Sequence, residues 1–179
     1  MAQALRHTLK RRIKRVPIYA VELAQGQGTP TYTAGAAGGL SPAWTMADGA
    51  RYGVNADLMV PHDWLRGTDI KFYFAYAPTA MGGVGNAVWG IDYVLYPEDK
   101  YGGGLGLNPA RTVRTVVDTP PFGVVMKTTD SPVSIPGSDL VGRRQIQIAF
   151  IRAGDLAEDT DNRSYYLIKV IMEYEAYEP

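Results

Sequence analysis

Hydrophobic and polar residues alternate in four long segments of the chain. These are "DIKFYFAYAP" (69–78), "AVWGIDYVLYP" (87–97), "RQIQIAFIR" (144–152) and "SYYLIKVIMEYEAY" (164–177). A period of two residues is that of a β-strand with one buried face. The apolar positions of these segments predict a core that contains Phe72, Phe74, Trp89, Ile91, Ile146, Ile148, Ile168 and Val170.

Shorter apolar runs predict further strands between these segments. They are "IYAVEL" (18–23), "ADLMVP" (56–61), "RTVRTVV" (111–117) and "FGVVMKT" (122–128), separated by turns rich in Gly, Pro and Asp. The total is about eight strands, with no helical periodicity after residue 17. We therefore predict an all-β protein, an antiparallel β-sandwich of the jelly-roll type.

The N-terminal segment has a different pattern. Leu5, Leu9, Ile13 and Val16 recur every three or four residues and basic residues lie between them, which predicts a short amphipathic basic helix or arm that ends at Pro17. Six of the first fifteen residues are basic and none is acidic. We predict that this arm binds a partner through Leu5, Arg6, Leu9, Lys10, Arg11, Arg12, Ile13, Lys14, Arg15 and Val16.

A segment rich in Gly, Thr and Ala follows the arm. "QGQGTPTYTAGAAGGLSP" (25–42) has too little apolar surface to order itself and is typical of a linker or of a loop that lies on a partner. We therefore predict two parts, an arm with its linker over residues 1–42 and a β-sandwich domain over residues 43–179.

Composition and charge narrow the functional classes. The chain has 179 residues, 12 tyrosines, no cysteine and a formal net charge of +0. Absence of cysteine excludes disulfides, thiolate metal sites and cysteine nucleophiles. Because the net charge of the whole chain is +0, the positive charge of the N-terminal segment is balanced by acidic residues elsewhere in the sequence.

Few residues indicate enzyme chemistry. His7 and His62 are the two histidines, no G-x-S-x-G motif occurs, and the glycines of "YGGGLGLNPAR" (101–111) lack the helix that a dinucleotide site needs. Carboxylates such as Asp92, Glu173 and Glu175 leave a hydrolase open as an alternative, because alternate strand residues share a face. We expect a protein that is not an enzyme and has no cofactor.

One acidic loop deserves comparison with metal sites. "GDLAEDTDN" (154–162) lies between two predicted strands, and its carboxylates suit calcium in chemistry but not in EF-hand spacing. A solvated loop is the simpler interpretation. The weak metal candidates are Asp155, Asp159 and Asp161.

Residues 55–177 resemble small phage virion proteins with a jelly-roll or related β-sandwich fold, which serve as capsid, decoration or fibre-base subunits. The resemblance is carried by "PHDWLRGTDIKFYFAYAP", "GNAVWGIDYVLYP" and "IAFIRAGDLAEDTDNRSYYLIKVIMEYE". It implies a non-enzymatic structural subunit, located in the virion and assembled in the host cytoplasm. Its partners would be copies of itself and other virion proteins.

Two questions stay open in the sequence. The basic arm suits a groove on a neighbouring subunit, nucleic acid or an anionic membrane surface, and an idle charged tail would look the same. A carbohydrate-binding jelly-roll module is the alternative function, because jelly rolls also serve as lectins. We expect exposed aromatic residues such as Tyr73, Tyr93, Tyr101 and Tyr165, which would suit a sugar-binding platform and equally a subunit interface.

Overall fold

The structure is a computed structural model that describes residues 10–35, 41–83, 85–97 and 112–177. Within these ranges it contains a 3-10 turn at Ala20–Glu22 and a four-residue helix at Gly137–Leu140; all other regular elements are strands. The strands are β1 (Arg11–Tyr19), β2 (Ala24–Gln25), β3 (Thr31–Gly35), β4 (Ser41–Met46), β5 (Arg51–Met59), β6 (Ile70–Pro78), β7 (Ala87–Pro97), β8 (Thr112–Asp118), β9 (Lys127–Thr128), β10 (Val133–Ile135), β11 (Arg143–Ala153) and β12 (Tyr165–Tyr177).

The strands form two antiparallel sheets that pack as a sandwich. The seven-stranded sheet has the order β10-β6-β12-β4-β3, with β1 beside β12 and β9 beside β6; the five-stranded sheet has the order β2-β5-β11-β7-β8. In the first sheet, β12 pairs with β6 along one side and with β4 and then β1 along the other. The prediction of an all-β antiparallel sandwich is confirmed.

Aromatic residues from both sheets meet in the core. Phe72 packs against Phe150 with ring centroids 5.5 Å apart, and Phe74 stacks on Trp89 at 5.4 Å. Each pair joins the two sheets, and all four rings are fully buried. Truncation of a buried aromatic ring to alanine typically destabilises a protein by about 3–5 kcal/mol, so these contacts hold the layers together.

The predicted core residues are all buried, but Ile168 lies on an unexpected face. In the pairing of β12 with β6, Leu167 faces Tyr76 and Lys169 faces Ala75, so Ile168 is an extra residue in a β-bulge. On the N-terminal side of the bulge, odd-numbered residues of β12 face the core, whereas on its C-terminal side even-numbered residues do. Leu167 therefore lies in the main core in place of Ile168. Ile168 packs in a small cluster with Ala43 and Ala77, separate from the main core.

The predicted helix over residues 5–16 is wrong wherever the structure describes it. Residues 11–19 form β1, which pairs with residues 169–177 of β12 in an unbroken antiparallel ladder. Ile18 is buried in the core, whereas Ile13 is 64% exposed, so no helical apolar stripe forms. Pro17 is accommodated inside the strand because β1 is an edge strand in the described part of the sheet. Residues 1–9, with Leu5, Arg6 and Leu9, lie outside the described residues.

The predicted linker is also wrong in its described middle part. Residues 31–33 of β3 pair with β4, which in turn pairs with β12, and the Trp44 indole N–H donates to the Ala20 carbonyl oxygen at 2.9 Å. Residues 36–40 lie outside the described residues. Division of the chain at residue 42 stays a prediction, although β1 to β3 are hydrogen-bonded to strands that follow it.

Candidate functional site

The loops between strands collect at two ends of the sandwich, which differ in chemistry. We call one the basic end; it comprises residues 10–14, 60–69, 136–144 and 175–177, where β1, β6 and β11 begin and β5 and β12 finish. We call the other the apolar end; it comprises residues 47–51, 79–83, 119–130 and 154–164, where β6, β8 and β11 finish and β5 and β12 begin.

At the apolar end, the acidic loop binds arginines. Asp155 pairs with Arg51 at 3.1 Å, and Asp159 pairs with Arg152 at 3.0 Å. The side chain of Arg152 is fully buried, and its guanidinium group lies 4.6 Å from the centre of the Tyr165 ring. The carboxylates that were metal candidates in the sequence therefore neutralise guanidinium groups.

Asp161, the third metal candidate, holds Arg163. Its carboxylate accepts from the Arg163 guanidinium group at 2.7 Å and from the Arg163 backbone N–H at 2.9 Å. Burial opposes ionisation of this carboxyl group, but the hydrogen bonds from Arg163 outweigh it and hold the pKa of Asp161 below its ordinary value. Asp161 is therefore a structural carboxylate.

Arg163 in turn anchors a loop with exposed apolar side chains. Its Nη1 donates to the carbonyl oxygens of Pro121 and Phe122 at 3.0 and 3.3 Å. The backbone N–H of Gly82 also donates to the Phe122 oxygen, at 3.0 Å. Five apolar residues around this anchor are between 42% and 79% exposed. We call them together the apolar loop: Met81 from the neighbouring turn, and Phe122, Val124, Val125 and Met126.

A second polar cluster fixes the two ends of residues 119–126. Asp118 precedes the segment and accepts hydrogen bonds from the buried Tyr76 hydroxyl and, at 3.1 Å, from Lys127 Nζ, which follows it. Lys127 also donates to the Thr119 carbonyl oxygen at 2.8 Å. Burial and the Asp118 hydrogen bond raise the pKa of Tyr76, so the hydroxyl stays a donor. The loop backbone is thus fixed while its apolar side chains face solvent.

At the basic end, a cleft of about 470 Å³ has no acidic side chain among the described residues that line it. Its floor includes Trp64, which is buried and donates through its indole N–H to the Thr68 carbonyl oxygen at 3.0 Å. Its wall and rim comprise Met59, Val60, Pro61, His62, Arg66, Leu140, Val141, Gly142, Arg143 and Arg144. Within the described ranges, neither Arg66 nor Arg143 forms an ion pair.

The start of β1 continues the basic surface. Arg12 pairs with Ala176 of β12, and Ala176 bridges on its other side to Trp64 in the cleft floor. Neighbouring strands lie about 4.8 Å apart, so Arg12 and Trp64 are separated by about 10 Å. Lys10, Arg11 and Arg12 are exposed.

The other basic residues of the predicted arm have partners in the sandwich. Lys14 forms an ion pair with Asp63, and Arg15 donates to Glu173 at 2.7 Å. The Lys14 hydrogen bond is the main reason why the pKa of Asp63 lies below its ordinary value, and Tyr174 adds a second hydrogen bond. Partner binding by the arm stays a prediction. Of its described basic residues, Lys14 and Arg15 pair with carboxylates of the sandwich, whereas Lys10, Arg11 and Arg12 are exposed.

The residues considered for hydrolysis or for a sugar platform are not brought together. Asp92 lies on the outer face of the five-stranded sheet, Glu173 on the outer face of the other sheet, and His62 at the basic end. Tyr93 and Tyr165 are buried in the core, so they cannot form an exposed platform. Tyr101 lies outside the described residues.

The described ranges contain neither a cluster of potential metal ligands nor a helix that could span a membrane. No group of three or more His, Asp or Glu side chains converges on a point there. None of the helices in those ranges has the length and hydropathy to span a membrane.

Some similarity to known structures exists at the level of the fold. No protein-family model matches the sequence, and no curated protein matches it. The VP2 subviral particle protein of infectious bursal disease virus is 9% identical with a TM-score of 0.42; the match covers 99% of this chain and 37% of that one. The enzymatically active domain of tailspike protein 4 from bacteriophage CBA120 is 8% identical with a TM-score of 0.37, over 93% of this chain and 19% of that one.

A carbohydrate-binding module is also similar. CBM28, a module specific for non-crystalline cellulose, is 11% identical with a TM-score of 0.38, and the match covers 90% of this chain and 87% of the module. This chain thus spans well under half of the two viral proteins. All three TM-scores are below 0.5, and none of these similarities assigns a function to this chain.

The sequence contains further signals for the chemistry of both ends. Arg152 has the same parity in its strand as Ile146, Ile148 and Phe150, which places a guanidinium group in the core and requires carboxylates nearby. The predicted strand "FGVVMKT" (122–128) forms only in its last two residues, Lys127 and Thr128 of β9, and its apolar run has no alternating polar residues. The pair Arg143 and Arg144 follows a glycine turn, which is a signal for exposure.

Proposed function

We propose that the chain is a non-enzymatic structural subunit of a phage-like virion, assembled in the host cytoplasm. It associates with copies of itself and with other virion proteins through the β-sandwich. The observation that carries this proposal is the apolar loop, whose five side chains are exposed on a backbone fixed by Arg163 and Lys127.

An exposed apolar cluster of this kind favours a protein interface. Isolated exposed apolar residues are common, but a cluster on a fixed backbone gains free energy when a partner covers it. The loop is ordered before binding, so association loses little conformational entropy. We propose that this partner is a second copy of the chain.

Assembly is tested by paired substitutions of exposed residues. Phe122→Ser with Val125→Ser should abolish self-association and entry into particles, whereas Val21→Ser with Val113→Ser should leave both intact, because those valines are exposed outside both ends of the sandwich. Light scattering after gel filtration, chemical cross-linking and electron micrographs measure the outcome. Assembly of the loop variant at the wild-type level would contradict the proposal.

The N-terminal segment is proposed as a second contact with neighbouring subunits. Since residues 11–19 belong to the sheet, the relevant truncation removes residues 1–9 and keeps β1. The truncated chain should fold and yet enter particles poorly. Normal incorporation would show that the segment is dispensable.

A carbohydrate-binding module is the second candidate, supported by one concave surface. A depression of about 560 Å³ on the outer face of the five-stranded sheet is lined by Asn55, Asp57, Asp92 and Gln147, which can hydrogen-bond to sugar hydroxyl groups. Reproducible binding on a glycan array that is lost in Asp57→Ala and Gln147→Ala would favour this function over assembly.

A further inference from the structure

Two arginines at the basic end, Arg66 and Arg143, are available to a ligand, in contrast to the arginines at the apolar end. Arg51, Arg152 and Arg163 each pair with a carboxylate. In the part of the chain that the structure describes, Arg66 and Arg143 have no such partner, and both are exposed at the cleft. Lys10, Arg11 and Arg12 extend this positive surface across β12.

We propose that the basic end binds the phosphate backbone of nucleic acid. A guanidinium group presents paired N–H donors that match two oxygens of a phosphate, and it stays charged at all physiological pH values. The cationic groups lie on two sides of β12, in β1 and in the cleft, so the surface is extended rather than a single pocket. Such a surface suits a polymer with regularly spaced charges.

An acidic protein surface would be a competing partner. In a second copy of the chain, the acidic loop at the apolar end offers such a surface. Its carboxylates Asp155, Asp159 and Asp161 are already paired with arginines of the same copy. Docking onto the basic end would have to break those pairs or share them. The structure therefore favours nucleic acid over head-to-tail contact between two copies.

Recognition at this surface would not depend on base sequence. Phosphate contacts fix the register of a protein on nucleic acid but do not read bases. The inference deepens the proposed function, because a virion subunit encounters packaged nucleic acid. Its test uses substitutions at the opposite end from the apolar loop, so the two proposals fail separately.

The test measures binding of the full chain to a short fluorescein-labelled DNA duplex by anisotropy, across a series of potassium chloride concentrations. Five phosphate contacts, from Lys10, Arg11, Arg12, Arg66 and Arg143, would give a slope of log K against log salt of about −4.5. Arg66→Gln with Arg143→Gln should weaken binding on the order of tenfold and reduce the size of the slope by about 1.8.

A matched control removes the same charge elsewhere. Lys71→Gln with Lys169→Gln lies on the outer face of the seven-stranded sheet, and Glu173 keeps its contact with Arg15 in that variant. This control should retain the wild-type slope. If both double variants weakened duplex binding equally, binding would depend on the net charge of the protein and not on Arg66 and Arg143, and the proposal would be overturned.

Two other outcomes also overturn it. One is absence of duplex binding by the wild-type chain at low salt. The other is salt-sensitive self-association that disappears in Arg66→Gln with Arg143→Gln while no duplex is bound, which would assign the basic end to a second copy. In either case the apolar-loop variants still decide the proposed function independently.

Discussion

Arginine side chains at the two ends of the sandwich have different environments. At the apolar end, Arg152 and Arg163 are buried, contact carboxylates and hold loop backbones in place. At the basic end, Arg66 and Arg143 are exposed beside a cleft without acidic lining residues in the described ranges. Residue type alone therefore does not assign a role to an arginine. The position of the nearest carboxylate decides whether an arginine stabilises the fold or is open to a ligand.

The largest expected effect comes from a buried arginine. Arg152→Ala removes the partner of Asp159, whose side chain is also fully buried, and leaves an uncompensated charge. We expect the free energy of unfolding to fall by about 3–5 kcal/mol, measured by urea denaturation. The control Arg51→Ala breaks a partly exposed pair and should lose less than about 1 kcal/mol. Similar losses in both variants would show that the buried arginine does not stabilise the fold more than the partly exposed one does.

A glycine tests whether the basic end is as tightly built as the apolar end. A Cβ at Gly137 would lie 2.3 Å from the carbonyl carbon of Gly67 and 2.6 Å from the Thr68 carbonyl oxygen. Because both neighbours are backbone, Gly137→Ala should reduce the free energy of unfolding by about 1–3 kcal/mol. At Gly123 the nearest atom would be 3.7 Å away, on Val125, so Gly123→Ala should be close to neutral. If Gly137→Ala left the free energy of unfolding unchanged, the backbone at the cleft must be able to move and accommodate the added methyl group.

The apolar end should also lose stability in acid. The folded-state pKa of Asp161 is below its unfolded value, so its contribution is present above about pH 4 and is lost as pH falls through the folded pKa. Asp161→Asn should be less stable than the wild type at neutral pH, and the difference should shrink in acid. Urea denaturation at a series of pH values measures this. A constant difference would contradict the assigned role of Asp161.

The smallest expected effect lies at the basic end. Arg66→Gln with Arg143→Gln removes two exposed charges without carboxylate partners in the described ranges, so the free energy of unfolding should stay within about 0.5 kcal/mol of the wild type. Thermal and urea denaturation check this. A clear loss of stability would indicate that these arginines serve the fold, as those at the apolar end do.

Much of the fold could be predicted from period-two alternation. The strands β6, β7, β11 and β12 were predicted because apolar residues alternate along each of them and mark the face that is buried. The bulge at Ile168 was not, since it arises from how β12 pairs with a strand about ninety residues earlier. Short strands such as β3 also escaped, because "TYTAG" is stabilised by its neighbour rather than by its own composition.

Residues 11–19 show why the candidate sites were harder to predict. Their spacing fits a helix as well as a strand, and pairing with β12 decides the outcome. Likewise, whether Asp159 and Asp161 bind a metal or an arginine depends on which cations the fold brings to the acidic loop. Among the described residues Arg66 and Arg143 form no ion pair, and this depends on which side chains the fold brings beside them rather than on a local sequence pattern.

The central position of β12 has a consequence for biosynthesis. This strand is the last of the described elements to leave the ribosome, yet it lies between β6 on one side and β1 and β4 on the other. The seven-stranded sheet therefore cannot close until nearly the whole described chain has been made, and residues of β1 pair with residues at least 150 positions later in the chain. Pairing over such sequence distances is slow, so nascent chains would expose unpaired, aggregation-prone strand edges until β12 has been made.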